Sequence, residues 1–258
     1  MTLRICILEA DDLHPALEDP FVGFGRMFIE LFQAQNTAVA FSVFNVVQGD
    51  YPDASQTFDA YLVTGSKADS FANDSWIVRL REYLVERFAQ DDILLGICFG
   101  HQILALALGG IAERSDKGWG IGMHSYTIEH KPEWLPNDVD EFQLLISHRD
   151  QVTALPEGAE LLASSEFCQN AAFVLGQQVL CFQGHPEFTH DFSRGLLNLR
   201  ESIYCPKEYQ AACASLAEEH DGHIVAQWML GFVRSAKETR KNELQQAQVA
   251  NNEKPCSA

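Results

Sequence analysis

At 258 residues, with hydrophobic side chains at 47% of positions, the chain is long enough to bury one large core. Its 18 Lys and Arg stand against 36 Asp and Glu, a formal charge of −18, which repels nucleic-acid backbones and anionic lipid surfaces and excludes both as expected partners. The seven cysteines are odd in number and scattered through apolar runs, which fits neither a disulfide framework nor a paired-cysteine metal site, and a reducing cytoplasm is expected. The apolar run at the N-terminus is too short for a signal peptide, and no stretch approaches the length of a membrane span.

In chain order, Arg4 to Glu9 reads as a first strand, broken by Asp11-Asp12-Leu13-His14-Pro15. Met27 to Phe32 reads as helix. The Gly23-Phe24-Gly25 before it lacks the third glycine of a dinucleotide fingerprint, Phe28 standing in its place. Phe41 to Val47 and Asp59 to Thr64 are the next strands, the latter ending in Gly65-Ser66-Lys67. Ser75 to Ala89 is an amphipathic helix with Trp76, Leu80, Leu84 and Phe88 four residues apart on its inner face. Strands alternating with helices imply a parallel sheet, and ligands bind such sheets at the carboxyl ends of their strands.

The next stretch carries the chemistry. An apolar run ends in Gly96-Ile97-Cys98-Phe99-Gly100, and an Ala- and Leu-rich segment follows to Gly109-Gly110, so the pattern is strand, sharp turn, helix. Cys98 stands at the bend. Glycines on either side avoid clashes and permit strained backbone angles, and a helix start favours a thiolate over a thiol. Beyond it, Ile111 to Arg114, Ile121 to Ile128 and Leu144 to Ser147 read as strands, and Ala171 to Val174 with Val179 to Phe182 as a hairpin running into Gly184-His185-Pro186-Glu187. In extended chain His185 and Glu187 point to one side, a base and its orienter. Phe192 to Tyr204 and Ala211 to Leu216 read as helical. Gly222 to Arg234 reads as a closing helix with Ile224, Trp228 and Phe232 on one face, and Lys237 onward as a polar tail too poor in apolar residues to order itself.

Gly96-Ile97-Cys98-Phe99-Gly100-His101-Gln102, with Gln183-Gly184-His185-Pro186-Glu187, resembles the two-part signature of the class I glutamine amidotransferases. The resemblance runs from the first strand to about Glu187. It implies a flavodoxin-like α/β fold, an open, mainly parallel sheet with helices on both faces, over residues 1–236. Of these, 188–236 would be a C-terminal helical extension beyond the usual domain end, with 237–258 as the tail. It implies a triad of Cys98, His185 and Glu187, and an oxyanion hole from the backbone N–H groups of Ser66 and Phe99. A substrate pocket would involve Gly65, Gln102, Ser147 and His148, with Ser147-His148-Arg149-Asp150-Gln151-Val152 at its border. His148 is expected to be pocket wall rather than base. No metal and no cofactor are implied.

Rival chemistries fail on order and spacing. An α/β-hydrolase places its acid between nucleophile and histidine, and a zinc deaminase needs a Pro-Cys-x-x-Cys that Cys205-Pro206 and Cys213 do not supply. His220 and His223 do not have the spacing of a metal pair. The stretch carries no nucleotide-binding loop for an ammonia acceptor, which is left to a possible synthetase subunit. Three functions remain open: a free-standing amidotransferase that hydrolyses glutamine, similar to the amidotransferase domain of GMP synthase; a γ-glutamyl peptidase acting alone on other γ-glutamyl small molecules; and a non-catalytic binding or stress protein on the same scaffold. The complete triad argues against the last.

Overall fold

Alternate residues of the first strand face opposite ways into two cores, and the rest of the architecture follows from that. The computed structural model describes residues 2–35 and 37–252. Strand β1 (Leu3–Glu9) sends Ile5 and Ile7 to one side and Cys6 and Leu8 to the other, all fully buried. Helices must therefore cover both faces. The order is α1 (Pro15–Phe21), α2 (Phe24–Gln33), β2 (Val39–Asn45), β3 (Ala60–Val63), α3 (Ser75–Ala89), β4 (Leu94–Ile97), α4 (Phe99–Ala107), β5 (Ile111–Arg114), β6 (Gly120–Ile128) and β7 (Glu141–His148). There follow β8 (Asp150–Ala154), β9 (Glu160–Ser164), β10 (Ala172–Leu175), β11 (Val179–Phe182), α5 (His190–Leu199), α6 (Pro206–Ser215) and α7 (Gly222–Asn252).

The main sheet runs β2-β1-β3-β4-β11-β10-β9-β6-β7, parallel from β2 to β11 and antiparallel from there to β7. This is the expected open, mainly parallel α/β fold. β3 and β4 are buried along their whole length, as central parallel strands require. Helices α2 and α7 contribute Phe28, Phe32, Trp228 and Phe232 to the core on one face. On the other, α3 and α4 contribute Leu80, Leu84, Ile103 and Leu104.

Several elements differ from the sequence expectation. Asp11 to Pro15 leads not into open loop but into α1, where Pro15 takes the first turn and His14 Nδ1 accepts from the Ala16 N–H (3.2 Å). β8 and β9 were not foreseen; β8 pairs with β5 in a separate two-stranded sheet. The helix expected over Phe192 to Tyr204 stops at Leu199, and Arg200 leads into a single 3-10 turn, Glu201–Ile203.

The largest difference is at the expected tail. Helix α7 does not stop near Arg234 but continues through Lys237 to Asn252, while 253–258 lie outside the described residues. The expectation asked whether this polar stretch could bury a core of its own. It extends a helix already docked, and propagation needs no new nucleus. Its Lys, Arg, Glu, Gln and Ala are good helix formers. Lys237 Nζ reaches Asp59 at 2.5 Å and Arg240 reaches Asp91 at 3.5 Å, tying the extension to the strand ends. Among the described residues no helix is long and apolar enough to cross a membrane.

Trp228 of α7 packs edge-on against Phe142 of β7 with centroids 5.3 Å apart, and only 3% of it is exposed. Trp228→Ala is expected to destabilise the protein by about 3–5 kcal/mol, seen as a lower urea midpoint with unchanged slope. An unchanged midpoint would show that α7 is not part of the cooperative core.

Candidate active site

Two neighbouring parallel strands end at one rim. In the register of β4 on β11, Ile97 lies opposite Phe182, so Cys98 and the Gln183-to-Glu187 segment leave the sheet side by side. The Cys98 N–H donates to the Phe182 carbonyl at 2.9 Å, and the His185 N–H donates to the Leu145 carbonyl of β7 at 2.9 Å. Cys98 has φ 53° and ψ −101°, a conformation that costs a residue with a side chain on the order of 1–3 kcal/mol. The close approach of neighbouring backbone explains its flanking glycines. A Cβ on Gly96 would lie 2.6 Å from the Gly100 carbonyl, and one on Gly100 would collide with the Val63 carbonyl of β3.

His185 Nδ1 is hydrogen-bonded to Glu187 Oε1 at 2.7 Å, and each residue is only 3% exposed. With Nδ1 so engaged, Nε2 is the ring nitrogen free for chemistry. The ring lies on Phe188, centroids 3.7 Å apart and 13° from parallel. On another side Gly65 comes so close that a Cβ there would be 2.7 Å from His185 Cε1. Burial by itself lowers the basicity of the imidazole; the charge of Glu187 and interaction with Cys98 outweigh it and push the His185 pKa up to about 10. The arrangement holds an imidazolium beside a cysteine, a pair suited to nucleophilic attack and proton return.

Cys98 and His185 open on a cavity of about 390 Å³, shared with Ser66 and Ser147 and walled by apolar residues of α1, α2 and α5. From the same cysteine a smaller recess of about 60 Å³ runs between Gln102, His148, Arg149 and Asp150. Of the residues singled out in the sequence, Cys98, His185, Ser66, Gln102, Ser147 and His148 therefore meet around one point. Phe99 turns its side chain away onto Trp76, centroids 5.5 Å apart, and only its backbone amide, the first of α4, faces the elbow. Gly65 supports the His185 ring instead of lining either cavity.

The polar wall is tightly wired. Gln102 Nε2 donates to the Asp150 carbonyl (2.8 Å) and to Gln183 Oε1 (3.2 Å), which leaves its own Oε1 as the group without a partner among these bonds. His148 Nδ1 meets the Asp150 backbone carbonyl at 3.1 Å, while the Asp150 carboxylate pairs with Arg114 Nε at 2.9 Å, so the two side chains do not pair with each other. Burial pushes the His148 pKa down to about 3. It is a neutral wall residue.

Sequence reasoning missed Phe188, Arg149 and Arg200. Phe188 directly follows the triad segment, and Arg149 sits inside the bordering motif, but neither residue type marks a site by itself. Arg200 lies at the end of α5 in no motif; a basic residue in so acidic a chain was its one faint signal.

The sequence model of class-I glutamine amidotransferases matches residues 44–197. Gamma-glutamyl peptidase 3 of Arabidopsis thaliana is 35% identical over 177 residues, 66% of this chain and 70% of that one. A Saccharomyces cerevisiae protein provisionally named a glutamine amidotransferase is 38% identical over 230 residues, 83% and 91% of the two chains. Among solved structures, a glutamine amidotransferase from Thermotoga maritima shares the fold with a TM-score of 0.72 over 92% of this chain and 98% of that one, at 16% identity.

A diazo-ketone analogue of glutamine is expected to alkylate Cys98 ahead of the other cysteines. Burial pushes the thiols of Cys6, Cys168 and Cys181 up, Cys168 to about 12, and exposed Cys205 reports reaction in the absence of a site. Peptide mass mapping checks this; labelling that falls first on Cys205 or Cys181 would remove Cys98 as the activated thiol.

Proposed function

The chain belongs to the class I glutamine amidotransferase family, and from that premise we propose that it hydrolyses γ-glutamyl compounds through a Cys98 thioester without needing a synthetase partner. One observation carries this: α5, beyond the last signature residue, supplies Phe192, Leu196 and Leu199 as a wall of the cavity at Cys98. The pocket is completed in cis. A glutaminase subunit releases only ammonia on this side, and ammonia is the size of a water, about 30 Å³. The cavity has room for a far larger leaving group. Similarity to a named γ-glutamyl peptidase supports the same choice.

The Cys98 thiolate attacks the γ-carbonyl carbon, and the oxyanion is stabilised by the backbone N–H groups of Phe99 and Ser66. His185 Nε2–H gives its proton to the leaving nitrogen as the C–N bond breaks, which frees the amine and leaves the thioester. The now neutral His185 takes a proton from water as that water attacks the thioester. Glutamate departs, and the thiolate–imidazolium pair is restored. Glu187 holds the tautomer and stabilises the cation. Gln102 Oε1 is placed to accept from the substrate, and Ser147 and His148 shape the wall.

Two outcomes are expected. His185→Ala lowers kcat by on the order of 10³ or more, and Glu187→Gln by less. His185 is the acid for the leaving amine, so activity should hold through neutral pH and fall as the pH nears the raised value of about 10. Glu187 charge raises that value, so Glu187→Gln should move the alkaline limb to lower pH in a pH–rate profile. An unmoved limb would remove Glu187 from this role. Second, the purified protein alone should turn over a γ-glutamyl dipeptide at about 1 per second or faster. Activity that arises only with glutamine and an added synthetase fraction would make it an amidotransferase subunit instead.

A further inference from the structure

Two guanidinium groups stand over one indole beside the catalytic cysteine. Arg149 lies 5.2 Å and Arg200 5.7 Å from the Trp119 ring centroid. Among the described residues neither makes an ion pair, in a protein of net charge −18 where most of the site's other charges are matched, Lys67 by Asp11 at 2.5 Å and Arg114 by Asp69 and Asp150. The Arg149 Nε is buried without a hydrogen-bond partner. Cations at one aromatic ring with donors unspent are stabilised by an anion, and a planar fork of N–H groups matches the two oxygens of a carboxylate.

The two arginines do not face the same space. Arg149 lines only the polar recess with Gln102 and His148, whereas Arg200 lines both that recess and the large apolar cavity. Arg200 is held at this junction by α5, which ends at Leu199, and by a 3.1 Å bond from its NH1 to Ser147 Oγ that leaves its other N–H donors available. With the scissile bond at Cys98, the polar recess suits a glutamyl half and the larger apolar cavity a leaving half.

Resting on the γ-glutamyl hydrolase function above, we propose that Arg200 binds a carboxylate on the leaving half, and that the substrates are γ-glutamyl amino acids or peptides with an apolar side chain and a free carboxylate. Arg149 then takes the α-carboxylate of the glutamyl half. The apolar walls, Leu13, Leu17, Phe188, Phe192 and Leu196, accept the side chain of the departing residue. Glutamine, which has one carboxylate and loses ammonia, uses neither Arg200 nor these walls.

The test compares γ-glutamyl-phenylalanine with γ-glutamyl-phenethylamide, which differ only in the carboxylate of the leaving amine. Wild-type protein is expected to prefer the first in kcat/KM by about ten- to a hundred-fold, the scale of one charge-assisted contact. Arg200→Gln should bring that ratio close to one by raising KM for the first substrate, and Arg200→Lys should give an intermediate ratio. Because a ratio is read on one preparation, partial misfolding does not affect it, and Arg200→Lys stands in if Arg200→Gln does not fold. Equal rates on both substrates in the wild type, or an equal loss on both in Arg200→Gln with the ratio kept, would overturn the assignment. Turnover of neither substrate, with glutamine hydrolysed, would instead overturn the hydrolase function on which it rests.

Discussion

One backbone hydrogen bond, from the Cys98 N–H to the Phe182 carbonyl, holds the site together. It fastens the strained turn after β4 to the end of β11, and the histidine and carboxylate follow from β11 within five residues. Phe182 is itself held by packing: its ring meets Phe142 edge-on at 6.1 Å, and Phe142 meets Trp228 of α7 at 5.3 Å. A helix far along the chain thereby keeps the cysteine in a conformation it would not hold alone. Rigid strands below and close backbone contact at Gly100 restrict the remaining freedom of the turn.

The electrostatics depend on the same rigidity. A buried ion pair is a poor source of stability because both partners lose their water. His185 and Glu187 are both buried at the rim, and the second carboxylate oxygen of Glu187 has no hydrogen-bond partner. The pair is stabilised by short geometry, by the aromatic face of Phe188 against the ring, and by the interaction of His185 with Cys98. Neutral His148 and His101 nearby show what burial does without such a partner: each is pushed down to about 3.

Most of the parallel half was legible in the sequence because its signals are local. Apolar runs gave β1, β3 and β4, a four-residue stripe gave α3, and glycines around a cysteine gave the turn. The two-part signature singled out Cys98, His185 and Glu187, which the register of β4 on β11 brings to one rim. Illegible were features decided by distant contact. β8 is short and pairs with β5 in a sheet of its own, and the end of α7 is helical because its first half is docked. Gly65, expected in the substrate pocket, lies instead against the ring of His185. Arg200 has no local mark at all; its position depends on where α5 stops and on Trp119, brought from β6's approach some eighty residues earlier in the chain.

The strand order has a consequence for the life of the growing chain. β4 and β11 are neighbours in the sheet, yet β5 to β10 are made between them. A nascent chain therefore carries its cysteine for a long stretch of synthesis without the strand that fastens it or the imidazole that stands beside it. Contacts of such separation close late, since the loop entropy must be overcome first. Cys98 and His185 thus come together only after a loop of that length has closed, so an incomplete chain lacks the pair that the folded rim brings side by side.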